Sequence, residues 1–270
     1  MTRNLLSIAG FDPSGGAGVL LDISVFEGLG FRGFGVLPSV TAQNPGGVAS
    51  VHHLPARVLA GQHRSLAEAF DIAGIKVGML GTSANLAAAA RILAGNPHVP
   101  RVVDPVLRSS SGAILLEKKA WPRLLPLFRK RASLITPNLD EASALAGCRV
   151  RTVEDMKEAA RKIHRTSLVP CLVKGGHLPG GPVDVLFDGK DFRTFERPRV
   201  RRDVHGTGCF LSSAILAFLA RGRPLEEACG RGIEWTSRAI RTAVPSGCGR
   251  MIMASSPGRP RPPARDRARR

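Results

Sequence analysis

Residues 4–29 read NLLSIAGFDPSGGAGVLLDISVFEGL, and the fold follows from that stretch. Residues 4–9 are an apolar run of strand length. Four glycines and a proline between positions 10 and 18 interrupt the run and mark a turn. From about 16 to 29 the apolar residues Val19, Leu20, Ile23 and Phe26 return with helical spacing. Strand, glycine turn and helix then recur along the chain. Apolar runs at 33–40, 73–77, 101–104, 133–135 and 169–173 predict strands, and helical patterns fall at 55–70, 83–93, 118–129 and 152–165. Thr152, with Asp155 three residues on, resembles a capping box. Such alternation predicts an α/β fold, a doubly wound and mostly parallel sheet with helices on both faces. Residues 183–187 and 191–196, joined by Asp188-Gly189-Lys190, predict a small antiparallel hairpin added to it, and helices at 207–221 and 225–242 close the domain.

The composition agrees with one such domain. The chain has 270 residues, 43% hydrophobic and 22% charged, which is a globular mixture. No apolar run reaches the 18 or so residues of a membrane span, and the start does not read as a signal peptide. The expected setting is the cytoplasm, without a membrane partner. Five cysteines at 148, 171, 209, 229 and 248 form no C-x-x-C pair, against a zinc ribbon or a disulfide framework. The formal charge is +18. Residues 257–270 hold six arginines, one aspartate and four prolines, a net of +5, so the rest of the chain still carries +13. That segment has no apolar face and predicts disorder. Residues 1–250 are read as the domain and 251–270 as a Pro/Arg-rich tail. Aromatic residues are 5%, with no Tyr, a poor supply for stacking bases, so no specific nucleic-acid partner is expected.

In open α/β sheets ligands sit outside the carboxyl ends of the strands. Gly10–Gly18, Val103-Asp104-Pro105-Val106, Thr136-Pro137-Asn138-Leu139-Asp140-Glu141 and Lys174-Gly175-Gly176-His177 each follow an apolar strand. His205-Gly206-Thr207-Gly208-Cys209 opens a helix, where free backbone N–H groups and the helix dipole suit a phosphate. Two glycines starting a helix are equally an ordinary tight turn. No G-x-x-x-x-G-K-[ST] is present, so the phosphate site is not a P-loop.

Taken together, A-G-F-D-P-S-G-G-A-G with Asp22, T-A-Q-N at 41–44, K-V-G-M-L at 76–80, V-D-P-V at 103–106, T-P-N-L-D-E-A at 136–142, K-G-G-H at 174–177 and H-G-T-G-C at 205–209 carry a resemblance. From about Leu5 to Thr242 the chain resembles the hydroxymethylpyrimidine/phosphomethylpyrimidine kinases of thiamine biosynthesis, in the ribokinase-like superfamily. The resemblance implies ATP, Mg²⁺, a small-molecule pyrimidine phosphorylated twice, and a homodimer. Gln43 would read the pyrimidine edge, with Ala17, Gly18, Met79 and Val106 lining the acceptor pocket and Asp22 contacting the acceptor or orienting its loop. Gly206, Thr207 and Gly208 would form the anion hole. Lys174 would place a cation on the transferring phosphates, beside Asn138 on the nucleotide. Glu141 and Asp104 would organise the metal, and Cys209 would be the base on the acceptor hydroxyl, its pKa lowered by the helix N-terminus.

Each of these residues also has a plainer reading. Gln43 alone is a polar loop residue, Met79 and Val106 are core, Asn138 and Glu141 are a helix cap, Asp22 is an acid near a helix start, and Cys209 is a small buried residue. The chain also departs from the family's usual pattern at Phe11, Leu20-Leu21, residues 107–112 and Ser246-Gly-Cys-Gly-Arg-Met-Ile-Met. Pyridoxal kinase of the same superfamily, or a non-catalytic pyrimidine binder, are the other readings.

Overall fold

Strand β1 (Asn4–Ile8) lies inside the main sheet of a computed structural model that describes residues 3–200 and 202–253. The chain continues through α1 (Gly18–Gly28), β2 (Arg32–Val36), β3 (Ser39–Asn44), β4 (Gly47–His53), α2 (Ala56–Ala69), β5 (Ile72–Val77), α3 (Ser83–Gly95) and β6 (Arg101–Val103). Then come α4 (Trp121–Phe128), β7 (Leu134–Ile135), α5 (Leu139–Ala146), α6 (Val153–Ser167), β8 (Cys171–Gly175), β9 (Val183–Phe187), β10 (Phe192–Glu196) and β11 (Val204–His205). Helices α7 (Thr207–Ala220) and α8 (Leu225–Arg241) and short strands β12 (Val244–Pro245) and β13 (Met251–Ile252) complete it.

Among the described residues the main sheet has eight strands in the order β10-β9-β8-β7-β6-β5-β1-β2. Neighbours from β8 to β2 are parallel, and the β9–β10 hairpin extends one edge in antiparallel pairing. This is the ribokinase-like, doubly wound sheet anticipated above. The two-residue period of the strands divides the core: Leu6, Val103, Ile135 and Val173 pack against α2 to α6, while Leu5, Val102, Leu134 and Leu172 pack against α1, α7 and α8. Ten of the fourteen residues of α7 are buried, which fixes its N-terminus against the sheet. The chain leaves β1 for β2 on one side and reaches β5 on the other. The crevice above β1 and β5 is therefore a switch point, where such sheets bind ligands.

Four expectations need correction. The run at 33–40 is not one strand: β2 stops at Val36, Pro38 has no N–H to continue a ladder, and β3 begins a separate two-stranded hairpin with β4. The helix expected at 118–129 opens with a 3-10 turn at Lys118–Ala120, and α4 begins behind it with a proline in its first turn. Residues 139–146 form a full helix, α5, which the sequence showed only as a cap. Met251 and Ile252, assigned to the tail, form β13 between β11 and β12, so the folded part runs past residue 250. Residues 254–270, the rest of the expected tail, lie outside the described residues.

Candidate active site

Two glycine loops meet backbone to backbone above the switch point. Gly18 opens α1 with φ +61°, and a Cβ there would lie 2.2 Å from the Gly10 carbonyl oxygen. Gly206 caps α7 with φ +83°, and its Cβ would fall 1.9 Å from the Gly16 carbonyl oxygen. Both positions combine a left-handed backbone with contact closer than any side chain allows. Asp12 and His205 join the loops, Oδ2 to Nε2, at 3.3 Å. Burial alone pushes the Asp12 carboxyl up, but hydrogen bonds from His205 and Ser14 hold it below the usual carboxylate range.

The start of α7 is open to a ligand. Gly206 offers no side-chain cap, the first turn carries no acid, and Thr207, Gly208 and Cys209 are only half-buried. Its amide groups and dipole are left for an external anion. Lys174 stands beside them: a Cβ on Gly208 would lie 3.1 Å from its Nζ. That ammonium donates to Asp104 Oδ1 at 2.6 Å, and Asp104 also accepts from Thr136 Oγ1 at 3.3 Å and Ser212 Oγ at 3.4 Å. Burial by itself pushes the Lys174 ammonium down, and the Asp104 and Glu141 carboxylates more than reverse this, so it stays charged.

Strand ends bring the third segment in. The Lys174 N–H donates to the Pro137 carbonyl at 2.8 Å, which sets Asn138 and Glu141 next to β8. Asn138 caps α5 by accepting from the Glu141 N–H at 2.9 Å, while Glu141 Oε2 accepts from the Asn138 N–H at 2.8 Å. The two residues that the resemblance assigns to the metal–phosphate network are thus the cap of α5. Burial, with Asp104 adding to it, pushes the Glu141 carboxyl up to about 7, against the pull of Lys174. The Lys174 ammonium already bonds Asp104 and is drawn on by the Glu141 charge as well. Among the described residues no cluster of three or more His, Cys, Asp or Glu could hold a metal, so a divalent ion would need phosphate or water oxygens as well, as Mg²⁺ usually does.

On the other side of α7, Met79 packs on Gly10, its Sδ 2.7 Å from where a Cβ would be. Ala17 and Val106 are half-buried. Gln43 is not in a loop but in β3, at the register shift opposite Val48, and half-buried. No group among the described residues hydrogen-bonds its side-chain amide. Phe11 joins the hairpin through its backbone, donating to Ser39 O at 2.9 Å and accepting from the Thr41 N–H at 3.2 Å. Surface hollows of about 380 Å³ between α2 and α3 and about 440 Å³ beside α4 and α5 touch none of these residues.

One expectation fails here, and another keeps one of its two alternatives. Cys209 is not a ready thiolate: burial pushes its thiol up to about 11, with the Lys76 ammonium opposing and the Asp22 and Asp104 carboxylates adding to the rise. Asp22, expected either to contact the acceptor or to orient its loop, is turned into the core beneath that loop. It is fully buried and pairs with Lys76, whose Nζ lies 2.9 and 2.8 Å from its two oxygens. Ser7 and Ser213 complete its shell at 2.5 and 2.8 Å.

The Lys76–Asp22 pair and its serines, which the residue-by-residue reading missed, tie β1, α1, β5 and α7 together beneath the loops they carry. A signal was present. Lys76 interrupts the apolar strand at 72–77, and a lysine there must find a buried partner.

Comparison with known proteins fits this arrangement. The phosphomethylpyrimidine kinase family model matches residues 12–254. The thiamine biosynthesis bifunctional protein ThiED of Geobacter sulfurreducens is 40% identical over 248 residues, 91% of this chain and 51% of that protein. The chain thus spans about half the length of that relative. The hydroxymethylpyrimidine/phosphomethylpyrimidine kinase of Aquifex aeolicus is 38% identical over 250 residues, 92% of this chain and 98% of that one. Among solved structures, an ADP complex of Bacillus subtilis pyridoxal kinase superposes with a TM-score of 0.86 at 30% identity, covering 94% of this chain and 97% of the other.

Proposed function

The chain belongs to the phosphomethylpyrimidine kinase family, and from that premise we propose that it moves the γ-phosphoryl group of ATP onto the hydroxymethyl oxygen of 4-amino-5-hydroxymethyl-2-methylpyrimidine. A second transfer, onto the monophosphate so formed, gives the diphosphate used in thiamine biosynthesis. The observation that carries this reading is the convergence above the sheet of Lys174, bonded to Asp104, with the open N-terminus of α7 and the Asn138–Glu141 cap set beside β8.

Phosphoryl transfer needs alignment and charge stabilisation more than covalent help. The amides of Thr207, Gly208 and Cys209 face the oxygens on which charge builds, and Lys174 adds a full positive charge that Asp104 aims. Asn138 and Glu141 hold the polyphosphate side. Glu141 and Asp104 would hold Mg²⁺ together with phosphate oxygens, and the ion would screen the charge of the transferring group. Ala17, Gly18, Met79 and Val106 shape the acceptor pocket, and the unpaired amide of Gln43 offers a donor and an acceptor to an aminopyrimidine edge. The acceptor hydroxyl loses its proton as its oxygen bonds to phosphorus. Cys209 takes that proton when it is ionised. At pH 7 a thiol near 11 is ionised only to a fraction on the order of 10⁻⁴, so the alcohol step draws on a small thiolate population that grows with pH, while positioning and charge serve both steps.

We carry a homodimer and a cytoplasmic setting as parts of the same proposal; light scattering tests the first. Among the described residues no helix is long and apolar enough to cross a membrane. A second reading, pyridoxal kinase, is favoured by the likeness to the Bacillus subtilis enzyme. Measuring kcat/KM for both acceptors with ATP separates the two. The pyrimidine is expected to be the better substrate by at least tenfold, and a preference for pyridoxal would overturn the proposal.

A further inference from the structure

The β3–β4 hairpin stands apart from the main sheet, and a two-stranded hairpin alone is marginal in water. Its placement depends on what it leans on. At its root Phe11 holds it, through the pair of backbone bonds with Ser39 and Thr41 and a further bond from Thr41 Oγ1 at 2.8 Å. At its tip the contact comes from the C-terminal segment in which this chain departs from the family pattern.

There the Arg250 guanidinium uses each of its three nitrogens. Nε and Nη2 donate to the two oxygens of Asp203 at 2.9 and 2.8 Å. Nη1 donates to the Pro45 carbonyl at 3.2 Å and to Ser110 Oγ at 2.9 Å. One side chain thus joins the hairpin tip, the 107–112 loop and the segment leading into the α7 N-terminus. The turn behind it is tight, with Ser246 N–H donating to the Arg250 carbonyl at 2.8 Å, and Cys248 packs beside Gly46. Gln43 lies between the two anchors, two residues from each of Thr41 and Pro45.

We propose that Arg250 is a positioning residue for acceptor recognition: it latches the hairpin tip and so fixes Gln43 over the acceptor pocket. This rests on the reading above in which Gln43 meets the pyrimidine. A planar fork bound to a carboxylate loses little freedom on bonding, and it holds Nη1 in one direction. Asp203 is exposed, so removing the arginine strands no buried charge and leaves the fold intact.

The test compares the wild type with Arg250→Met, Gln43→Leu and the double variant, using the free pyrimidine and ATP. Arg250→Met should raise the KM for the pyrimidine about tenfold, leave the KM for ATP within twofold, and add nothing once Gln43 is Leu. Arg250→Lys, which keeps the charge but loses the fork, should fall between. Amide hydrogen exchange should quicken at residues 42–48 in Arg250→Met and stay unchanged in the main sheet. An unchanged pyrimidine KM, an equal rise for ATP, or full multiplication of the two single effects would overturn the latch. If Gln43→Leu alone leaves acceptor KM unchanged, the acceptor role of Gln43 fails. The exchange rates then judge the latch on their own.

Discussion

Cys209 illustrates what a residue's surroundings do to its chemistry. A helix N-terminus lowers a thiol's pKa, and from sequence alone that was the visible influence. In the fold, loss of water outweighs it, and the Asp22 and Asp104 carboxylates add to the rise. The sign of the pH dependence follows. The thiolate is the form that accepts a proton, and its fraction grows tenfold per pH unit below about 11. The first phosphorylation, of a neutral alcohol, should therefore speed up steadily between pH 7 and 9. The second should change by no more than about twofold, because a phosphate monoester is already ionised above a pKa of about 6 and Glu141, near 7, only completes its own ionisation. Cys209→Ala should flatten the first profile and leave the second as it was, whereas Lys174→Ala should slow both steps by about 10²-fold or more. Single-turnover assays started from the alcohol and from the monophosphate read this directly, and a flat wild-type profile for the alcohol removes Cys209 as the base. Asp22 teaches a related lesson. It lies near a glycine turn in sequence, which suggested a ligand contact, yet one helical turn carries its side chain down into the core. Partners distant in sequence fix that direction: Lys76, 54 positions away, with Ser7 and Ser213.

Elements were legible where their pattern was long. The period of α6 and α8 and the Thr152–Asp155 capping box could be read directly, and that box is present with both bonds made, whereas in α1 the expected face was misjudged, since Leu20 is exposed and Leu21 and Val25 are buried instead. Short or two-sided elements were not. Strand β7 has two residues, and the β3–β4 hairpin alternates too weakly to show that it leaves the sheet at Pro38. The site depends on elements held at fixed distances, and the Lys76–Asp22 pair joins four of them. Removing one partner of a buried pair strands a charge. Lys76→Met should therefore cost about 3–5 kcal/mol in urea unfolding. Adding Asp22→Asn should restore more than half of that, since the stranded charge is gone. A cost below about 1 kcal/mol for Lys76→Met would mean the pair is open to water and does not brace α7.

At the scale of the whole molecule, sheet topology gathers loops that are far apart in sequence, from Gly10 to Cys209, above one crevice. The order of motifs and the β-α rhythm announced that much. What composition misplaced was the C-terminal boundary, because Met251 and Ile252 look like the start of a tail until β11 and β12 are seen on either side of them. Truncation after Met253 should leave the melting temperature and both KM values unchanged, since it removes only the Pro/Arg-rich segment. Truncation after Gly249 removes Arg250 and β13, and should lower the melting temperature and raise the pyrimidine KM. Equal loss of melting temperature in the two truncations would place residues 254–270 within the fold. The central claim is that one site performs two successive phosphoryl transfers to a hydroxymethylpyrimidine. Mass-resolved analysis of products from ATP, Mg²⁺ and the free pyrimidine tests it most directly. The account predicts that with the wild type a monophosphate rises first and a diphosphate replaces it, and that Lys174→Ala slows the appearance of both by about 10²-fold or more. ATP hydrolysis without any phosphorylated pyrimidine would contradict it.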